Sequence, residues 1–234
     1  SHQIEGPDRF IRFGVNVRFF NIEGTEDMLI DTVGMSTLFL PDLQYHFHDM
    51  DPNWVVNHAY NVASYILEHD NPIKDGETIF IGPGTTLEHL AVELKTRNIR
   101  VITNSLPVFL ILNKSKTVDL LLIGGEYREI TGAFVGSMAT TNLKALRFSK
   151  AFVSANAVSD NAIATYSDVE GEIQQLALDN AVEKILLVDS TKFNRYDFFN
   201  FYTLEQIDTI ITDNQISQDQ LNEFGQLTTI IQAN

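Results

Sequence analysis

With 234 residues, 44% of them hydrophobic, the chain can bury a substantial core as one large domain or as two smaller ones. Sixteen Lys and Arg against 31 Asp and Glu give a formal net charge of −15, which repels nucleic-acid backbones at long range, and the lack of cysteine excludes disulfides, thiol nucleophiles and Cys-ligated zinc. No apolar run approaches the roughly 20 residues of a membrane helix, and Ser1-His2-Gln3 opens no signal peptide, so the sequence predicts a cytoplasmic protein.

Residues 1–73 carry the weakest pattern. Ile11 to Phe20 reads as strand, and Val33-Gly34-Met35 and Leu40-Pro41-Asp42 break up short apolar runs. From Pro52 onward, Val55, Ala59, Val62, Ala63 and Ile66 recur at helical spacing until Asn71-Pro72, which predicts an amphipathic helix over about 53–70. Asp49-Met50-Asp51-Pro52-Asn53 opens like a calcium loop. Its sixth position is Trp54 where glycine is required and its twelfth is Tyr60 where a bidentate Glu is required, so calcium is excluded. His46 and His48 flank Phe47 beside Asp49, with no third ligand at a recognisable spacing, and no metal site is predicted.

The chain becomes informative at Thr78-Ile79-Phe80-Ile81-Gly82-Pro83-Gly84-Thr85-Thr86. An apolar run breaks at two glycines and continues with Leu87, Leu90, Ala91 and Leu94 on one helical face, so it reads as strand, tight loop and helix. Glycine lets the backbone approach a ligand closely, and a helix start carries unpaired N–H groups and the positive end of the macrodipole. An anion, most naturally a phosphate, fits there; an ordinary strand-to-helix turn with a Thr cap is the structural alternative.

Strand and helix then alternate. Ile99 to Thr103 reads as strand, Ser105 to Asn113 as helix with Pro107 in its first turn, and Val118 to Ile123 as strand ending at Gly124-Gly125. Helix is predicted over Phe134 to Leu146, strand over Ala151 to Ser154, and helix over Asp168 to Val182. Strands at Lys184 to Val188 and Asp208 to Ile211, a last helix, and Leu227 to Ile231 complete the pattern. Continuous apolar strands separated by helices define an α/β fold, a mostly parallel sheet with helices on both faces.

Such sheets take ligands at the carboxyl ends of their strands. Those ends are Gly82 to Thr86, Thr103-Asn104-Ser105, Gly124 to Arg128, Ala155-Asn156 and Asp189-Ser190-Thr191-Lys192. Each has a plain structural explanation as a cap or turn. Together they gather hydroxyls, amides, an Arg and a Lys on one rim, which suits a polyhydroxylated phosphate.

From about Lys74 onward, these stretches, with Asp75-Gly76-Glu77 before them and Thr131 to Gly136 and Phe193 within them, resemble the effector-binding domain of the DeoR family of bacterial sugar-metabolism repressors. The resemblance implies a fold related to ribose-5-phosphate isomerase and glucosamine-6-phosphate deaminase. By position, it implies that Gly82, Gly84, Thr85 and Thr86 hold a phosphate that Lys192 neutralises, and that Asn104, Ser105, Gly125, Arg128, Asn156 and Asp189 face the sugar. Thr103 to Phe109 and Lys192-Phe193-Asn194 are most similar to family members that govern lactose and galactose use, for which a sugar phosphate such as tagatose-6-phosphate is the implied effector. No cofactor is implied, no membrane partner, and a homo-oligomer.

The family begins with a winged helix-turn-helix, and residues 1–73 lack its basic recognition helix, so this chain alone is not expected to bind DNA. The predicted division is an N-terminal segment of uncertain identity, 1–73, and an effector-binding domain, 74–234. Residues 53–70 are either part of a fusion or the helix that precedes the family's first strand. A sugar-phosphate isomerase or deaminase in the same site is the competing function, with Asp189 and Glu170 as its candidate acid-base pair.

Overall fold

The computed structural model describes residues 73–233; the strand read at Ile11 to Phe20, the histidines 46 and 48 and the helix read over 53–70 lie outside them. The described chain opens with β1 (Thr78–Ile81), α1 (Thr85–Glu93), β2 (Arg100–Thr103), α2 (Leu106–Leu112) and β3 (Asp119–Leu122). A hairpin of β4 (Glu126–Arg128) and β5 (Ala133–Val135) leads to α3 (Ser137–Lys144) and β6 (Phe148–Val153). Then follow β7 (Ala157–Ser159), β8 (Ala162–Thr165), α4 (Asp168–Asp179), β9 (Ala181–Leu187) and β10 (Phe199–Thr203), and finally β11 (Thr209–Asp213), α5 (Gln218–Phe224) and β12 (Thr229–Ala233).

Seven strands form one sheet in the order β12-β11-β9-β6-β1-β2-β3, with every neighbouring pair parallel. From β1 the chain steps through β2 to β3 on one side, then crosses to β6 on the other side and steps outward through β9, β11 and β12. Right-handed crossovers that leave a central strand in opposite directions must place their helices on opposite faces. The core shows this: Ile79 and Ile81 pack with α1 and α2, while Phe80 packs in the cluster that holds Ala139 and Leu143 of α3, Ile173 and Ala177 of α4, and Phe224 of α5. Both faces of the central strands β1, β2 and β6 are buried, which is why they read as apolar runs. Complete burial of a side chain such as Phe80 contributes roughly 1.5–3 kcal/mol.

Two small antiparallel sheets, β4-β5 and β10-β8-β7, stand beside the main one. They occupy its carboxyl end: Phe134 of β5 donates its N–H to the Asn104 carbonyl at 2.8 Å, and Asn156, just after β6, donates to the Ala164 carbonyl at 3.0 Å.

Two predicted helices are shorter than the sequence suggested. The one read from Phe134 begins at Ser137, because Ala133–Val135 is strand paired with β4 and the chain breaks at Gly136. The one read to Val182 ends at Asp179. Asn180 caps it and donates its side-chain N–H to the Leu143 carbonyl at 2.8 Å, and β9 starts at Ala181.

Candidate functional site

The strand order reverses between β1 and β6, so a crevice opens between their carboxyl ends, the position where doubly wound sheets take ligands. Four of the predicted residues, Gly82, Gly84, Thr85 and Thr86, form its β1 side. Gly82 donates its N–H to the Phe152 carbonyl of β6 at 3.0 Å, which draws the two strand ends together. Gly84 is the N-cap of α1 with φ 140° and ψ 148°, a conformation confined almost entirely to glycine. No side chain caps α1, so its first amides are left for water or a ligand. Glu88 and His89, further along the helix, are buried and have partners of their own.

Opposite stands the loop after β6. Ser154 lies close enough that a Cβ built on Gly84 would sit 3.4 Å from its Cβ and 3.8 Å from its Oγ. In the sequence Ser154 reads as the last residue of a strand; in the structure it is the first residue after β6, and a serine directly after a buried central strand is the signal that marks it. Asn156, two residues on, is exposed.

The end of β2 is locked to β1. Thr103 Oγ1 donates to the Ile81 carbonyl at 2.6 Å and accepts from the Ser105 N–H at 3.0 Å. Ser105 is fully buried, and its hydroxyl accepts the Val108 N–H at 3.3 Å, capping α2 ahead of Pro107. That cap explains the helix start and occupies the hydroxyl. Asn104 is 2% exposed; its Nδ2 donates to the Phe134 carbonyl at 3.0 Å, while its Oδ1 is buried without a partner. An unmatched buried acceptor is costly, and a ligand hydroxyl would satisfy it.

Gly125 sits under the β5–α3 junction, where an added Cβ would meet the Val135 carbonyl oxygen at 2.4 Å. Arg128, on β4, pairs with Glu170 of α4 at 3.2 Å and lies over the Tyr166 ring, 5.7 Å from its centroid. Glu170, set beside Asp189 as a candidate acid-base pair by the sequence, is instead enclosed by Arg128, Thr131 and Tyr166. Burial, then the charge of Glu170, pushes the Tyr166 phenol above its ordinary pKa.

Asp189 and Lys192 follow β9. The Asp189 Oδ1 caps a short 3-10 turn by accepting the Thr191 N–H at 2.9 Å, and its Oδ2 pairs with Lys192 Nζ at 3.9 Å. The buried Asp213 fixes this turn, accepting from the Ser190 N–H at 2.7 Å. β6 separates β9 from β1, so the two strands that lead into the Lys192 turn and the Gly82–Thr86 loop run roughly 10 Å apart. The structure thus gathers the loop with Ser154, and Asn104 and Ser105 with the β4–β5 hairpin. It leaves Lys192 paired with Asp189.

A parallel sheet wound outward in both directions, with an uncapped helix start at its switch point and polar residues around that rim, defines an α/β domain of the ligand-binding kind. The chain belongs to the DeoR C terminal sensor domain family, which matches residues 61–214. It is 78% identical over 164 residues to the lactose phosphotransferase system repressor of Lactococcus lactis subsp. lactis, covering 69% of this chain and 64% of that protein. To the repressor of the same name from Streptococcus mutans it is 45% identical over 161 residues, covering 68% and 64%. The chain therefore spans somewhat under two thirds of the length of these relatives.

Solved structures of similar outline include a D-ribose-5-phosphate isomerase in complex with phospho-erythronic acid, with 15% identity, 63% of this chain and 56% of that one covered, and a TM-score of 0.44. The eIF2B beta subunit from Chaetomium thermophilum gives 16% identity, 90% and 72% coverage, and a TM-score of 0.48. These are likenesses of fold alone.

Proposed function

We propose that residues 74–234 bind a sugar phosphate of the tagatose-6-phosphate type as the effector of a cytoplasmic, homo-oligomeric repressor of lactose and galactose use. The carrying observation is the uncapped start of α1 at Gly84, in the crevice where the strand order reverses. There the first amides of α1 meet the phosphate, Lys192 turns from Asp189 to supply counter-charge, and Asn104, Arg128, Asn156 and Asp189 face the sugar. The family match and the names of the relatives support a regulator.

An isomerase or deaminase would need a carboxylate free to take a proton. Glu170 is occupied by three partners and Asp189 by its turn, which favours sensing over turnover. Thermal melting with the phosphate ester and with the free sugar tests the proposal. A ligand at about a hundred times its dissociation constant adds about 2.7 kcal/mol, a shift of several degrees. A shift from tagatose-6-phosphate but not from tagatose supports the reading; equal shifts, or steady turnover of the ester, refute it.

A further inference from the structure

Glu170 is 4% exposed, a position in which an unpaired carboxylate would be strongly unfavourable. It is instead surrounded by groups from three segments. Thr131 Oγ1, in the β4–β5 turn, donates to Oε1 at 2.6 Å; Tyr166 OH, just ahead of α4, donates to the same oxygen at 2.9 Å; and Arg128 Nε, on β4, lies 3.2 Å from it. Glu170 also stands in the first turn of α4, where the helix dipole favours negative charge.

The consequence falls on Arg128. Its Nε is buried and makes no aligned hydrogen bond, so the attraction to Glu170 is between charges, and the Tyr166 ring supports the guanidinium face. The side chain as a whole is 33% exposed, and with Nε buried that exposure belongs to the stem and the distal Nη nitrogens. Among the described residues, the contacts of Arg128 are those with Glu170 and Tyr166, so its Nη donors are uncommitted. Its backbone neighbour across the hairpin, Ala133, bridges to Ser105, next to the orphaned Oδ1 of Asn104. Uncommitted donors and an unmatched acceptor on adjoining strand ends are complementary to sugar hydroxyls, which both donate and accept.

We propose that Glu170 is a positioning residue for sugar recognition: fixed by Thr131 and Tyr166, it holds Arg128 with its Nη edge toward the oxygens of the sugar, beside Asn104. This rests on the sugar-phosphate reading above and adds that the carbohydrate part, unlike the phosphate, is read through Glu170.

The test measures the binding of tagatose-6-phosphate and of inorganic phosphate to the full chain, to Glu170→Gln, to Arg128→Ala and to the double variant. Gln keeps an oxygen for Thr131 and Tyr166 but loses the charge. Glu170→Gln is expected to weaken tagatose-6-phosphate about tenfold while leaving inorganic phosphate within about twofold, and to add nothing further in the Arg128→Ala background. Equal losses for both probes, or losses that add in the double variant, overturn the positioning role. If the unmodified chain binds neither probe, the sugar-phosphate reading itself falls and this inference with it. An Arg128→Lys chain, which keeps the charge but not the planar fork, should reproduce the tenfold loss; full retention of affinity would also overturn the proposal.

Discussion

Gly84 and Ser154 face each other across the crevice between β1 and β6, so close that any side chain on Gly84 would reach Ser154 at 3.4 Å. The closeness is tolerable for an added methyl group, but φ of 140° is strained for any L-residue, at a cost of about 1–3 kcal/mol. Gly84→Val should therefore lose sugar-phosphate binding, because the branched side chain fills the approach to the α1 amides. It should also lower the melting temperature by several degrees. Gly84→Ala should show the strain with a smaller loss of affinity. Titration of both variants, with melting curves alongside, separates the two effects.

Lys192 is only loosely tied to Asp189, at 3.9 Å and partly exposed, so the pair contributes less than about 1 kcal/mol to stability. A charge-assisted hydrogen bond to phosphate is worth about 1.5–3 kcal/mol. Lys192→Ala is expected to weaken tagatose-6-phosphate binding roughly ten- to a hundredfold while the urea midpoint barely moves. An unchanged affinity would remove Lys192 from the site.

Gly125 tests the packing beneath the rim. A methyl group there would press on the Val135 carbonyl at 2.4 Å and on Ala139 at 3.1 Å, and backbone cannot swing aside as a side-chain end can. Gly125→Ala should cost about 1–3 kcal/mol and displace β5 from Asn104. Urea unfolding measures the first effect; the loss of slow amide exchange at Phe134, whose N–H now reaches the Asn104 carbonyl, measures the second.

Stability at high pH should depend on Tyr202. Burial first, then its hydrogen bond to Asp179 at 3.0 Å, raises the phenol well above its ordinary value. With the folded pKa raised, the contribution is complete below the unfolded value of about 10 and declines as pH rises through the folded value, because the unfolded chain releases its proton first. The melting temperature is expected to fall above about pH 10, and Tyr202→Phe should flatten that fall. An equally steep decline in the variant would contradict the assignment.

What the sequence revealed follows from the range of the interactions. β1, β2 and β11 and the C-terminal half of β9 are buried and show as apolar runs, β3 reads the same way although as an edge strand it leaves Leu121 exposed, and the glycines of the β1–α1 loop mark the uncapped helix start. The strand ends carry the predicted polar residues for the same reason. Three-residue strands such as Glu126–Arg128 have too few positions to show a period, and Phe134-Val135 was absorbed into the helical spacing that begins only after Gly136. The pairing of Asn104 with Phe134 and of Thr131 with Glu170 joins residues 30 and 39 positions apart, and no local pattern announces such contacts. Hence Glu170 reads in the sequence as an available carboxylate, although Thr131, Tyr166 and Arg128 enclose it in the fold. Ser105 and Gly125, read as facing a sugar, show local duties as a cap and a close contact that the same residue types serve equally well.

Isothermal titration of tagatose-6-phosphate and of tagatose into the intact chain and into Gly84→Val tests the central claim most directly. The account predicts saturable binding of the ester by the intact chain, little or no heat from the free sugar, and loss of ester binding in Gly84→Val. Comparable binding of ester and free sugar, or an ester affinity untouched by Gly84→Val, would contradict it.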